Sequence, residues 1–185
     1  SINLAATLAL TNKKVLLLGL DLRAPKITEY LGIADRKGVT NYILDDKLNV
    51  DDIKFTIPEV ENVDFISSGL IPPNPSELLS NKRVNELFEI VKKDYDFVIA
   101  DTAPISLVTD TLLIADFADI FLYVARANFL DKRMLIVPKK LYEEKKLPNM
   151  AIVLNDTDSE RGYGYGYGYL ESKKKPFYKR LLSLS

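Results

Sequence analysis

Short apolar runs that each lead to a polar side chain constrain this chain more than any other feature. Val15-Leu16-Leu17-Leu18 leads through Gly19 to Asp21, Phe97-Val98-Ile99-Ala100 stops at Asp101, Ile120 to Ala125 stops at Arg126, and Ala151 to Leu154 stops at Asn155. The first two runs fit strands covered on both faces, as in a parallel sheet, although a run alone also fits a piece of buried helix. Gly19 and Pro25, close behind the first run, favour the strand. Val63 to Ile66 reads as a further short strand, ending at Ser67-Ser68-Gly69. Helical patterns fill the intervals: the Ala/Leu-rich Ser1 to Leu10, Ile27 to Leu31, Gly38 to Leu44, Thr109 to Ala115 and Lys132 to Lys145. From Asn81 to Lys93, Val84, Leu87, Phe88 and Val91 make one apolar helical face. After the rigid turn Pro72-Pro73-Asn74-Pro75, Ser76 is expected to cap another helix, with Glu77 in its first turn. Strands alternating with helices predict an α/β fold, a doubly wound and mainly parallel sheet. Ligands of such sheets sit beyond the carboxyl ends of the strands, where this chain carries Asp21, Asp101, Arg126 and Asn155.

Composition removes several chemistries. The 185 residues include no cysteine and no histidine, which excludes disulfides, thiol catalysis, Cys/His zinc sites and a histidine general base. Acid–base or metal work falls to carboxylates, hard oxygen ligands suited to Mg²⁺. A formal net charge of −1 gives the chain no strong attraction to nucleic acid or anionic lipid. No apolar run reaches the roughly 18–20 residues that span a bilayer. The length suits one α/β domain over residues 1–160, followed by a different segment, 161–185. There, Gly162 to Tyr169 alternates Gly and Tyr and holds four of the chain's eight glycines, so a flexible tail is expected. Ser1 to Leu10 has no capping residue or loop before it, so the chain is expected to open inside a helix, as a piece of something longer.

An aspartate at the tip of a rigid strand is suited to hold Mg²⁺, directly or through water. Taken alone, Asp101 fits that role or an ordinary turn or N-cap aspartate. Its setting is more specific. Val15 to Leu18, Asp21, Arg23 and Pro25 match the Walker A′ motif of bacterial tyrosine kinases. Pro72-Pro73-Asn74-Pro75-Ser76-Glu77-Leu78-Leu79 stands unbroken as that family has it, and Tyr95 to Asp101 follows as a Walker B segment. Val108-Thr109-Asp110, Val153-Leu154-Asn155 and the terminal tyrosine cluster complete a resemblance that covers nearly the whole chain.

The resemblance implies a P-loop NTPase fold of the deviant Walker group and an ATP-dependent protein-tyrosine kinase. Asp21 and Asp101 would hold Mg²⁺ and serve the transfer, one of them taking the tyrosine proton. Arg23 would reach a phosphate or a neighbouring subunit, if it is not simply a surface arginine. Asn155, with Arg126, would bind the nucleotide, Asn155 resembling the adenine-reading residue of related ATPases or else an ordinary loop Asn. Tyr163, Tyr165, Tyr167, Tyr169 and Tyr178 would be the acceptors. Further implications are a homo-oligomeric ring, a transmembrane activator or fused membrane segment of a polysaccharide export system, a place at the inner face of the cell membrane, and no nucleic-acid partner. Two departures stand out. The Walker A loop and the strand before it are not in the sequence, so this chain by itself is expected to bind ATP weakly. The first aspartate of Walker A′ is Gly19. Two other readings share the fold: a partitioning-type deviant Walker ATPase, and a catalytically weak scaffold that forms rings.

Overall fold

A computed structural model describes residues 1–33, 36–57, 60–105, 110–147 and 149–157. These residues form two compact units, divided between Thr111 and Leu112.

The first unit begins with α1 (Ile2–Ala9), which turns Ala5, Ala6 and Ala9 inward. Small side chains let this helix lie close on β1 (Val15–Gly19), whose five residues are all buried. Then come α2 (Ile27–Leu31), α3 (Val39–Leu44), α4 (Val50–Ile53), β2 (Lys54–Thr56) and β3 (Val63–Ile66). Next are α5 (Pro75–Leu79), α6 (Lys82–Asp94) and β4 (Phe97–Asp101), with a 3₁₀ helix opening at Asp110. The strands lie in the order β2-β3-β1-β4. β1 runs parallel to both β3 and β4, and only β2 is antiparallel. One core cluster unites Ala5 and Ala9 of α1, Val15 and Leu17 of β1, Ile27 and Leu31 of α2, and Phe65 of β3. The apolar face of α6 is buried as its spacing predicts, and Asn81 Oδ1 caps it by accepting from Arg83 N at 2.9 Å.

The second unit is a βαβ arrangement. β5 (Phe121–Arg126) and β6 (Met150–Asn155) pair in parallel, with α7 (Ile136–Glu143) between them in sequence. The single helix expected over Lys132–Lys145 is divided: a 3₁₀ turn over Lys132–Leu135 precedes α7. Pro138 sits in the first turn of α7, where proline is tolerated.

Three other expectations change. The helix near Thr109 to Ala115 is 3₁₀ where it is described, over Asp110–Phe117. Ser76 does not cap α5: Asn74 holds the N-cap position and Pro75 opens the helix, the position proline prefers. β4 is not enclosed like β1. Its residues are partly exposed, Phe97 to 39%, because among the described residues β4 pairs on one edge only. The tail and its tyrosines lie outside the described residues.

Candidate active site

The strand order brings two of the expected residues together. From β1 the chain first pairs to one side, with β3, and later returns on the other side as β4. A change of direction of this kind opens a crevice at the carboxyl ends of the strands. Gly19 and Asp101 are register partners, and Leu20 N donates to Asp101 O at 2.7 Å, so the two strand ends are tied together. Asp21 follows immediately. Its Oδ1 accepts from Arg23 N and Ala24 N, both at 3.0 Å, a turn that the side chain itself closes. Asp21 and Asp101 line one crevice with Gly19, Pro25, Thr28 and Ser68. Its volume of about 10 Å³ is roughly that of a single water site.

Gly19 is tightly enclosed. A Cβ there would lie 3.0 Å from Ser68 N and 3.4 Å from Ile66 O. The Ser67–Ser68 turn is held on its far side as well, since Val39 N donates to Ser67 O at 2.9 Å and Thr40 N to Ser68 O at 3.0 Å. The Thr40 hydroxyl bonds Ser68 O and Leu70 O.

Arg23 leaves the crevice loop and forks onto Asp110. Its Nε donates to Oδ2 at 2.5 Å and its Nη2 to Oδ1 at 3.1 Å. Ser76 Oγ donates to the same Oδ1 at 2.6 Å. The Asp110 side chain is only 5% exposed, against 42% for Arg23. The guanidinium holds the Asp110 carboxyl below the usual carboxylate range despite its burial, and the Arg23 pKa is raised in return. Asp110 and Ser76 were not among the residues expected in the site. The available signal was their presence in two of the motif segments.

The second unit has a site of its own. Arg126 and Asn155 end β5 and β6 as register partners. A crevice of about 450 Å³ is lined by Arg126, Ala127, Asn128, Phe129, Asp156 and Thr157. Arg126 Nε donates to Asp156 Oδ2 at 2.7 Å, and its guanidinium stands 5.5 Å from the centre of the Phe129 ring. Asn155 is not among the residues lining this crevice; its carbonyl accepts from Ala127 N at 2.8 Å.

Among the described residues no cluster of three acidic, His or Cys side chains is arranged to hold a metal ion. Two carboxylates in one crevice do suit a hard cation that completes its shell with water and phosphate oxygens, which is how Mg²⁺ usually binds.

The layout is that of a P-loop NTPase-type α/β domain. A family model described as AAA domain matches residues 1–129. MinD of Pyrococcus horikoshii, solved with Mg-ADP, shares the fold at a TM-score of 0.61 and 17% identity, over 82% of this chain and 61% of that one. The VpsO kinase domain is nearer, with a TM-score of 0.76 and 30% identity over 85% of this chain and 77% of its own. Tyrosine-protein kinase CpsD of Streptococcus agalactiae is 34% identical over 156 residues, 84% of this chain and 67% of that protein. A putative tyrosine-protein kinase in the cps region of Klebsiella pneumoniae is 33% identical over 155 residues, 84% of this chain and 21% of that protein. The chain belongs to the bacterial tyrosine kinase family. It spans about a fifth of the length of the longer relatives.

Proposed function

We propose that this chain is part of an ATP-dependent protein-tyrosine kinase that phosphorylates its own C-terminal tyrosines and regulates synthesis and export of capsular or extracellular polysaccharide. The observation that carries the reading is the pair of carboxylates in one crevice, Asp101 at the end of β4 and Asp21 just beyond the end of β1, where the two strand ends are tied. Mg²⁺ bound with ATP would supply charge neutralisation for the transferred phosphoryl group. The chain's own part is positional. Asp101 is fixed by the register of β4 on β1, and Asp21 by two backbone amides on Oδ1, which leaves Oδ2 to take a metal or the proton of a tyrosine hydroxyl. Asn155, with Arg126, would bind the nucleotide. Arg23 would act on phosphate only by leaving Asp110.

The acceptors in this reading are Tyr163, Tyr165, Tyr167, Tyr169 and Tyr178, spaced by glycine so that each can enter a neighbour's site. Phosphates of about −1.5 to −2 charges each on adjacent tyrosines repel one another and the acidic site, a reason for a homo-oligomeric ring to dissociate. The partner is a transmembrane activator or fused membrane segment at the inner face of the membrane. Among the described residues no helix is long and apolar enough to cross a membrane. One observation favours a second reading, a catalytically weak scaffold: the backbone around Gly19 leaves little space for the aspartate that the motif carries there.

The test is phosphopeptide mapping of Arg161 to Ser185 in the full-length protein incubated with Mg-ATP, beside Asp101→Asn. Phosphotyrosine that disappears in the variant supports the kinase. ATP turnover with an unmodified tail selects a partitioning-type ATPase, and neither activity selects the scaffold.

A further inference from the structure

Three segments far apart in sequence converge on one guanidinium. Arg23 comes from the loop after β1, Ser76 from the Pro72–Leu79 stretch, and Asp110 from the end of Val108-Thr109-Asp110. Asp110 takes two bonds from Arg23 and one from Ser76, while Arg23 Nη2 is also 3.4 Å from Ser76 Oγ. The residue after Asp110 is anchored too: the buried Thr111 hydroxyl donates to Ala103 O at 2.9 Å, two positions beyond Asp101. A forked arginine–carboxylate pair is directional, so it fixes the orientation of the arginine as well as its place. The backbone N–H of that same arginine, with that of Ala24, holds Asp21 Oδ1. A rotation of the 21–24 turn would therefore strain the Arg23 side chain, the fork or the bonds to Asp21.

We propose that Asp110, seated by Ser76, is a positioning residue that grips Arg23 and through its backbone sets the Asp21 carboxylate beside Asp101. The Pro72–Leu79 stretch thereby gains a role: it presents Ser76 to Asp110. The geometric part stands on the contacts alone, and the catalytic consequence rests on the kinase reading.

The test uses full-length protein as wild type, Asp110→Asn, Ser76→Ala and Asp21→Asn. Amide hydrogen exchange is followed at Arg23 and Ala24, and the initial rate of autophosphorylation is titrated with Mg²⁺ at saturating ATP. Loss of a bond to a charged group predicts exchange about tenfold faster at both amides in Asp110→Asn, and a smaller change in Ser76→Ala, with the β1 amides unaltered. The Mg²⁺ concentration for half-maximal rate should rise by a similar factor while the KM for ATP moves less. A merely structural pair would lower thermal stability without that split. Unchanged exchange at Arg23 and Ala24 in both variants overturns the proposal. So does a loosened turn with wild-type Mg²⁺ dependence when Asp21→Asn is inactive. If Asp21→Asn itself keeps the wild-type rate, the kinase site reading fails, and exchange alone decides whether Asp110 sets Asp21.

Discussion

Replacing Gly19 with alanine probes the most unusual contact of the site. The new Cβ would stand 3.0 Å from Ser68 N and 3.4 Å from Ile66 O, both backbone atoms. The Ser67–Ser68 turn has little room to retreat, because a Cβ on Gly38, behind it, would fall 2.2 Å from Ser67 O. Overpacking of this kind costs about 1–3 kcal/mol. Lower entropy of the unfolded chain offsets about 0.4–1 kcal/mol of that. The net expectation is a loss of about 1–2 kcal/mol, or about 2–8 °C in Tm for a chain of this size. Thermal and urea unfolding of Gly19→Ala beside wild type measures it. Gly19→Asp should lose more, since it adds a third carboxylate to the crevice of Asp21 and Asp101, and Mg²⁺ should restore more stability to it than to wild type. A neutral or stabilising Gly19→Ala would refute the reasoning. The turn would then be compliant, and the glycine no obstacle to the aspartate of the motif.

Other substitutions read different contacts. Tyr95 donates its hydroxyl to Asp64 Oδ2 at 2.6 Å, and burial followed by that bond raises its pKa well above the ordinary value. Its contribution is therefore complete below about pH 10 and lost as pH rises further. Tyr95→Phe should cost about 1–2 kcal/mol at neutral pH and remove that part of the alkaline slope, which a pH series of urea unfolding checks. Arg83 is largely buried, donates to Tyr42 O at 3.0 Å and Leu48 O at 2.7 Å, and stacks 3.8 Å from the Tyr42 ring centre. Arg83→Met leaves two carbonyls short of a donor and should cost about 2–3 kcal/mol by chemical denaturation. Asp110 has its pKa lowered by Arg23, so its contribution is present above about pH 4 and is lost as pH falls through the lowered value. The Tm gap between wild type and Asp110→Asn should accordingly be widest near neutrality and close in acid.

Apolar runs revealed the strands but not their neighbours. Val15-Leu16-Leu17-Leu18 and Phe97-Val98-Ile99-Ala100 are alike as patterns, yet β1 is wholly buried and β4 is not. A run reports that both faces of a strand are apolar. It carries no information on how many strands pair at its edges, which depends on residues far away. The turn of helix at Val50–Ile53 and the strand Lys54–Thr56 are not legible in the sequence for a related reason. Four and three residues of mixed polarity have no readable period, and β2 exists because Lys54, Phe55 and Thr56 find partners in β3. The start of α5 was legible, since proline at the first helical position marks it better than the serine that follows.

The candidate site residues can be placed one by one from the sequence, but their assembly cannot. Once an apolar run is a strand, the polar side chain after it stands at a strand tip, so Asp101, Arg126 and Asn155 could be placed without a sheet order, and Asp21 just beyond one. Which tips face each other requires the order, and only the pairing of β1 with β4 puts Asp21 beside Asp101. Arg23 shows the limit most clearly. In sequence a lone arginine beside a candidate metal-site aspartate looks available for phosphate, because its nearest carboxylate neighbours are the candidate site's own. In the fold its partner lies 87 positions away and is buried, and two of its nitrogens are engaged there. Reaching a phosphate would leave a buried carboxylate without its cation, a costly state unless the same movement brings in another. The economical arrangement keeps Arg23 on Asp110, and the proposed kinase chemistry would then rest on Asp21 and Asp101.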